Sequence, residues 1–284
     1  MAINQNREEQ VPATTDKSNV DVMALVLSAL TVRHHDDHLV AQRPAATLKE
    51  VLEKIRANKD QIRELDLADM AAKKRKLRPS GGDLVGRVFQ LNRTVLRLLL
   101  PGHEIGDVGA QSMGNMLRAN KTLQHLDLRR NEITPAGARA LSNALYGHDT
   151  LEHLGLSSNQ LGDDGAKAVA QVLPYNISLK CLGLANNNIG EEGGKALLDA
   201  VLQNRSLVMV QLVKNNIPKY ILDKIRAALV VNKLMQKKAQ RDEEKELKLD
   251  EERLTEDEKE QAVSSLNEDI SSSSRDEEDE SLWI

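Results

Sequence analysis

The chain has very little cysteine and very few aromatic residues. It carries one cysteine, Cys181, and only 2% Phe, Trp and Tyr in 284 residues. A single cysteine excludes an intrachain disulfide and a cysteine-rich zinc module. No apolar run approaches the roughly 18 residues that a membrane span needs. The first ten residues are polar and do not form a signal peptide. We expect no membrane partner and a cytoplasmic protein, with nuclear, cytoskeletal or ciliary association as further possibilities.

The formal net charge of −4 is unevenly distributed along the chain. Residues 236–284 contain 8 Lys and Arg against 18 Asp and Glu, a balance of −10. Residues 1–235 contain 31 basic and 25 acidic side chains, a balance of +6. This weak basic excess does not indicate a nucleic-acid partner.

One pattern recurs every 28 residues in the middle of the chain. Leucine or valine stands eight, five and three residues before each of the four asparagines Asn131, Asn159, Asn187 and Asn215. Glycine keeps the same interval at Gly109, Gly137, Gly165 and Gly193. A fixed period of this length predicts a solenoid in which each unit buries its apolar side against its neighbours.

The pattern resembles the ribonuclease-inhibitor-like class of leucine-rich repeats from about Ile62 to Leu229. The resemblance implies an α/β solenoid with a curved parallel sheet on the concave side and helices on the convex side. Strands are expected to begin near residues 62, 95, 123, 151, 179 and 207. The asparagine amide is expected to bond bare backbone groups where each strand becomes a loop.

The domain organisation follows from this register and from composition. Thr47 and Glu50 form a capping box at the start of a helix before the repeats. The first two strands are 33 residues apart, so the first repeat carries a five-residue insertion, which we place with a Gly81-Gly82 turn in a basic segment. We predict a disordered N-terminus at 1–19, a helical cap at 20–60, six repeats at 61–218 with the basic insertion at 71–82, a C-terminal capping helix at 219–235, and a charged, partly helical and disordered acidic tail at 236–284.

Four Asn-x-Ser/Thr sequons also occur, at Asn92, Asn120, Asn176 and Asn204. Their Ser or Thr recurs every 28 residues, which is typical of turn residues in a repeat. We interpret them as turns and not as glycosylation acceptors.

Strand geometry predicts the surface on which the protein works. If the strand leucines point inward, the alternate residues point to the concave side. They are charged in the first repeats, and small or apolar in the last ones, which is typical of a contact surface. The predicted partner-binding residues are Glu64, Asp66, Arg97, Leu99, His125, Asp127, Arg129, His153, Ser157, Cys181, Met209, Gln211 and Val213.

The sequence gives weak indications of other chemistry. His34 and His38 share a helix face, but no third distant ligand accompanies them, so we predict no metal site. His125, His153 and Asp127 suggest acid–base work, yet no nucleophile elbow, phosphate loop or paired-carboxylate pocket is present. We therefore predict no catalytic residue, no cofactor and no enzyme.

Two further segments suggest recognition. Lys73–Arg78 is typical of a nuclear-import signal, and equally of an exposed basic loop. The last residues, Leu282, Trp283 and Ile284, include the only tryptophan after a long acidic run, which predicts a recognition element. It either folds back on the repeats or enters the groove of another protein. Ser265, Ser273 and Ser274 precede acidic residues and are candidate phosphorylation sites.

The leading functional hypothesis is a monomeric, non-enzymatic scaffold that binds a protein on the concave face. Two families provide alternatives. The chain resembles Ran GTPase-activating protein in having such repeats before an acidic tail. Thr47–Ile55, followed by Ile62-Arg-Glu-Leu-Asp-Leu, looks like the entry to the repeat domain of tropomodulin-like actin cappers. These resemblances imply regulation of a small GTPase or binding to the actin cytoskeleton.

Overall fold

A computed structural model describes residues 63–72 and 76–276 of the chain, and its side chains as far as residue 248 except 69 and 70. The predicted N-terminus and helical cap, His34 and His38, half of the basic run, and the three terminal residues Leu282, Trp283 and Ile284 lie outside these ranges.

Short strands alternate with helices along the described chain, as the repeat predicts. Each strand has three residues. The strands are β1 Glu64–Asp66, β2 Arg97–Leu99, β3 His125–Asp127, β4 His153–Gly155, β5 Cys181–Gly183 and β6 Met209–Gln211. The helices are α1 Ala68–Ala72, α2 Arg78–Phe89, α3 Gly106–Ala119, α4 Pro135–Leu145, α5 Gly162–Val172, α6 Glu191–Gln203 and α7 Lys219–Asp276, and a 3-10 turn covers Leu173–Tyr175.

The strands form one parallel sheet in sequence order, β1 to β6. From β2 onward, paired residues are 28 positions apart: Leu98 lies beside Leu126, and Leu126 beside Leu154. The middle residue of each strand from β1 to β5 is at most 2% exposed, while its two neighbours face solvent. This is the leucine-rich-repeat α/β solenoid that the period predicts.

Aliphatic ladders make up nearly all of the core. The ladder through Leu100, Leu128, Leu156 and Leu184 is fully buried. Phe89, the only phenylalanine of the chain, is 3% exposed. Identical side chains stack on one another from coil to coil, so this core does not need large aromatic residues to fill it.

The first asparagine ladder ties each coil to the next. Asn159 is 8% exposed. Its Nδ2 donates to the carbonyl oxygens of Leu128 at 3.0 Å and Leu156 at 2.8 Å. Its Oδ1 accepts from the backbone N–H groups of Asn131 at 2.9 Å and Ile133 at 3.1 Å. The amide therefore satisfies four backbone groups where the strand ends, as expected.

A second asparagine ladder runs along the opposite edge of the coils, where helices end and strands begin, and continues to Asn232 within α7. It consists of Asn92, Asn120, Asn176, Asn204 and Asn232, each 1% exposed. Asn204 Nδ2 donates to the carbonyl oxygens of Leu173 at 2.7 Å and Asn176 at 2.9 Å. Four of these asparagines are the sequon residues, so burial hides their amides. The sequon pattern predicted turn residues at Ser and Thr, whereas the structure shows that the asparagine amides also bond the turn backbone.

The insertion in the first repeat lies earlier than predicted. Leu77, 1% exposed, occupies the position of Ile105, and Gly81 occupies the position of Gly109. The 28-residue register is therefore complete from Leu77 onward, and the extra residues lie between β1 and α2, where they include α1. Gly81 and Gly82 are buried in α2 and do not form the predicted turn. A Cβ at residue 82 would lie 2.9 Å from Ile105 Cβ, so close helix packing requires this glycine.

The last helix is longer than the capping helix expected at 219–235, since α7 runs without interruption to Asp276. Its first part belongs to the repeat unit, which extends to Asn232, and the part from Lys233 onward forms a second unit. In the first part Ile221, Ile225 and Leu229 join the core. No helix within the described ranges is long and apolar enough to cross a membrane.

Candidate protein-binding surface

The solvent-facing side of the sheet, opposite the helices, is called the concave face below. Parallel pairing arranges its outward side chains in rows across the strands. The first row is Glu64, Arg97, His125, His153, Cys181 and Met209. The second row is Asp66, Leu99, Asp127, Gly155, Gly183 and Gln211. The 28-residue register therefore brings the predicted strand residues together on one surface.

The charged residues at the β1–β3 end of the concave face neutralise one another. Arg97 Nε lies 2.9 Å from a carboxylate oxygen of Glu64. Arg129 makes a forked contact with Asp127, with Nη2 and Oδ2 at 2.6 Å, and the hydrogen bonds that the guanidinium donates to Asp127 raise its pKa. These local pairs leave the β1–β3 end polar, with little unpaired charge.

Two histidines stack in the middle of the concave face. The rings of His125 and His153 are 3.8 Å apart and inclined by 10°. Their Nδ1 atoms are buried and have no hydrogen-bond partner. Burial, followed by the neighbouring His153 and Arg97, lowers the pKa of His125 to about 4, although Glu152 opposes this shift. Burial also lowers the pKa of His153. Both rings are therefore neutral at pH 7, which permits face-to-face stacking.

The surface changes character over β4 to β6. Gly155 and Gly183 leave the backbone of the second row without side chains. Cys181 stands half-buried beside them, and burial raises the pKa of its thiol, so it is uncharged. Met209 and Val213 are 49% and 64% exposed. Met209 and Val213, called the apolar rim below, stand at the β6 side on either side of exposed Gln211, next to the bare backbone of Gly155 and Gly183.

One predicted contact residue lies deeper than expected. Ser157 is only 8% exposed, and its Oγ has no hydrogen-bond partner. A Cβ on Gly183 would lie 3.1 Å from this oxygen, so the hydroxyl is directed at the space above the glycine. The structure also shows a pair that the sequence analysis missed: Lys180 Nζ and Glu152 Oε1 are 2.8 Å apart beside this row. Glu152 and Lys180 each come immediately before a strand and are 28 residues apart, so the sequence could have predicted this pair of opposite charges.

The described residues show no obvious alternative to this surface. No three His, Cys, Asp or Glu side chains in them are grouped so as to hold a metal ion. An open groove lies on the convex side between α5 and α6, with Ala170, Ala196 and Ala200 among its lining residues. Its rim residue Lys195 is already paired with Glu191 at 3.0 Å. We regard the concave face as the better candidate, because it combines exposed apolar side chains with bare backbone.

Comparison with a family model agrees with the repeats of the fold. A family model described as leucine-rich repeat matches residues 119–142, 148–170 and 175–198. No curated protein matches the chain in sequence. Among solved structures, the chain is similar to "Leiomodin-1 Actin-Binding Site 2", with 16% identity, a TM-score of 0.47 and coverage of 71% of this chain and 98% of that chain. It is also similar to the tropomodulin C-terminal domain of Caenorhabditis elegans, with 13% identity, a TM-score of 0.48 and coverage of 69% and 98%.

Proposed function

We propose that this leucine-rich-repeat solenoid is a protein-interaction module and that it binds its partner on the concave face. The observation that carries the proposal is the apolar rim, in which Met209 and Val213 are 49% and 64% exposed beside the bare backbone of Gly155 and Gly183. Exposed apolar side chains beside a surface of small residues are typical of contact surfaces. Repeats of this class act as binding modules, and their outward strand residues vary independently of the core.

The two halves of the concave face have different tasks in this proposal. The β4–β6 half accepts apolar side chains of the partner, and their burial supplies most of the affinity. The β1–β3 half carries the pairs Glu64–Arg97 and Asp127–Arg129, which are already formed without a partner. Exposed paired charges contribute little affinity but orient an approaching partner. The stacked, neutral rings of His125 and His153 lie between the two halves.

Actin is the second candidate partner. The observation that favours it is the sequence Thr47–Ile55 followed by Ile62-Arg-Glu-Leu-Asp-Leu, which resembles the entry to tropomodulin repeat domains. Regulation of a small GTPase is the other alternative. It is based on the acidic tail that follows the repeats, an order that resembles Ran GTPase-activating protein. Co-sedimentation with actin filaments, pointed-end elongation assays and GTP-hydrolysis assays with purified small GTPases distinguish these roles from each other.

A pair of matched variants tests the concave face. M209E/V213E introduces two charges at the apolar rim. Y175E/I177E introduces two charges away from the concave face, at residues that are 63% and 81% exposed in and after the 3-10 turn that follows α5. Proteins captured from a cell extract by the wild type are identified by mass spectrometry and then purified for direct binding. We expect M209E/V213E to lose the partner and Y175E/I177E to retain it. Equal binding by the wild type and M209E/V213E contradicts the assignment of this face.

A further inference from the structure

The second asparagine ladder is flanked by side chains that face solvent. Three positions of each coil lie around the buried ladder residue, namely the two residues before it and the one after it. We call these positions the helix-end edge. Asn176 Nδ2 donates to the His148 carbonyl at 3.0 Å, Asn204 to the Asn176 carbonyl at 2.9 Å, and Asn232 to the Asn204 carbonyl at 2.9 Å. These bonds hold neighbouring coils in register, so the residues of the helix-end edge form rows across the coils.

Large apolar side chains are concentrated on the helix-end edge. It comprises 3 of the 28 positions of the repeat, yet it holds 7 of the 14 large hydrophobic side chains that are exposed among the described residues. They are Leu91, Tyr146, Tyr175, Ile177, Leu202, Val230 and Val231, with exposures between 45% and 81%. Exposure is expected where helices end, but exposed positions usually carry polar residues. The residue types therefore indicate a surface that is covered in a complex.

Two tyrosines from neighbouring coils meet at the centre of the helix-end edge. The ring centroids of Tyr146 and Tyr175 are 5.5 Å apart, and the rings are inclined by 53°. Ile177 follows Tyr175 by two residues and is 81% exposed. Leu202 occupies the position of Tyr146 two coils further along the chain. These side chains project into solvent, and the groove that Tyr175 borders, between α5 and α6, is open.

The charged residues of the helix-end edge are nearly all basic. The basic residues are Arg93, Arg118, Lys121, Arg205 and Lys233, and the one acidic residue at these positions is Asp149. Lys121 Nζ lies 3.6 Å from Asp149 Oδ1, so this carboxylate is already paired. The apolar centre is therefore flanked by positive charge on both sides. The net charge of −4 for the whole chain does not decide the matter, because exposed charges act over only about 8–10 Å in physiological salt.

Backbone groups at this edge are already hydrogen-bonded within the protein. Helix ends usually leave carbonyl oxygens that need water. Here Asn176 Nδ2 donates to the Leu145 carbonyl at 2.8 Å, and Asn176 Oδ1 accepts from Leu179 N–H at 2.8 Å. Asn204 makes the equivalent bond to the Leu173 carbonyl at 2.7 Å. Because an apolar environment penalises unpaired backbone groups, the ladder favours contact of this edge with such an environment.

We propose that the helix-end edge binds the surface of a membrane that contains anionic phospholipids. Tyr146 and Tyr175 fit the headgroup region, because a phenol ring has an apolar body and a polar tip. Ile177 and Leu202 reach the boundary of the acyl chains, and the flanking basic residues attract the lipid phosphates. A protein is the less suitable occupant, since the exposed side chains project and form no pocket for its anchor residues.

This peripheral contact departs from the sequence expectation of no membrane partner. That expectation rested on the absence of a segment that can span a bilayer. Binding through side chains at one edge needs no such segment, since apolar anchors and basic residues together hold a protein at the interface. The concave face carries neither the tyrosines nor this excess of basic residues, so it stays available to a protein partner.

Co-sedimentation of the full chain with lipid vesicles tests the proposal. Vesicles of phosphatidylcholine with about 30% phosphatidylserine are compared with vesicles of phosphatidylcholine alone. We expect the wild type to bind the anionic vesicles at least about tenfold more tightly, and to dissociate from them as the salt concentration rises. Y175E/I177E replaces two apolar anchors with charges, and R205A/K233A removes two flanking charges. Each variant is expected to weaken binding by about tenfold or more.

M209E/V213E is the matched control, because it introduces the same two charges on the concave face. It is expected to bind vesicles like the wild type, and thermal melting verifies that each variant is folded. If Y175E/I177E fails to fold, the wild type and R205A/K233A decide.

A wild type that does not bind anionic vesicles overturns the proposal, as does equal binding by the wild type and Y175E/I177E. Loss of an extract protein by Y175E/I177E, without vesicle binding by the wild type, shows a protein contact at this edge and also overturns it. Since M209E/V213E tests the concave face separately, failure of vesicle binding leaves the proposed function standing.

Discussion

At the residue scale, two histidines stand in for asparagine in the ladders. His103, fully buried, bonds the Leu67 carbonyl through Nε2 at 2.9 Å, and its Nδ1 accepts from Leu77 N–H at 3.3 Å. His148, 2% exposed, accepts from Leu151 N–H through Nδ1 at 3.2 Å. Its Nε2 makes no full hydrogen bond, although the Asn120 and Leu117 carbonyls lie near enough to favour the charged form slightly. Each histidine ring therefore makes some of the hydrogen bonds that an asparagine amide makes at the equivalent position of the other coils.

These histidines predict that acid destabilises the fold. Burial lowers the pKa of both His103 and His148 below the ordinary 6.5. The unfolded chain therefore binds more protons than the folded chain, and stability falls as pH decreases below about 6.5, by at most ~1.4 kcal/mol per pH unit for each histidine. H103N and H148N restore the ladder residue and are expected to reduce this loss. Urea unfolding at pH 7.5 and pH 5 measures it; an unchanged pH dependence in the double variant contradicts the assignment.

The asparagine ladder gives a second prediction at this scale. N159A removes an amide that bonds four backbone groups, and we expect the free energy of unfolding to fall by about 1–3 kcal/mol because those groups stay buried without partners. N143A is the control, since Asn143 is exposed on α4 and alanine favours helix. Urea unfolding of both variants measures the difference. Similar midpoints for N159A and the wild type speak against a structural ladder.

At the scale of elements, the strands are too short to be stable by themselves. Three residues make few hydrogen bonds, so packing of the central leucine holds each strand in place. L154A in β4 is expected to lower the free energy of unfolding by about 2–5 kcal/mol through the cavity it leaves. L247A, at a residue 60% exposed on α7, is expected to change it by less than about 0.5 kcal/mol. Thermal melting compares them, and equal melting temperatures would show that Leu154 is not a core residue.

The basic insertion is a separate element that the fold tolerates. It lies before Leu77, where the repeat register begins, and Lys76 forms an ion pair with Glu104. Replacing Lys73, Lys74, Arg75 and Lys76 with alanine is expected to cost no more than about 1 kcal/mol, since exposed ion pairs contribute little. If the segment is an import signal, the variant loses nuclear accumulation in cells, as fluorescence microscopy of a tagged chain shows. An unchanged distribution supports an exposed loop alone.

At the scale of the whole molecule, nearest-neighbour contacts carry the stability. Each coil packs on the next, and the first asparagine ladder links consecutive coils at every step from Asn131 to Asn215. We therefore expect residues 77–232 to unfold cooperatively, and hydrogen exchange followed by mass spectrometry to show their helices exchanging together.

The recognition role of Leu282, Trp283 and Ile284 stays a prediction, and the only tryptophan reports on it. A buried indole emits at shorter wavelength and is protected from quenchers. We expect the Trp283 emission to shift to the blue when the chain binds its partner, and acrylamide quenching to decrease. A solvated emission in both the free and the bound chain excludes this segment from recognition.

The sequence by itself determined the architecture. The 28-residue spacing of Asn131, Asn159, Asn187 and Asn215 fixed the coil, its buried leucines and the rows of the concave face, because identical coils can stack in only one register. The buried asparagines at 92, 120, 176, 204 and 232 keep the same 28-residue register, with His148 at the position between 120 and 176, and were readable too.

Only the tertiary structure decided which side chains are reachable and which coil lacks a neighbour. Ser157 lies at a strand-end position that predicts exposure, yet neighbouring coils bury it. The stack of His125 on His153 depends on ring orientation, which spacing does not specify. Val210 has the pattern of a core residue, but burial depends on what lies beyond it in space. Among the described residues no strand follows β6, so Val210 is only partly buried.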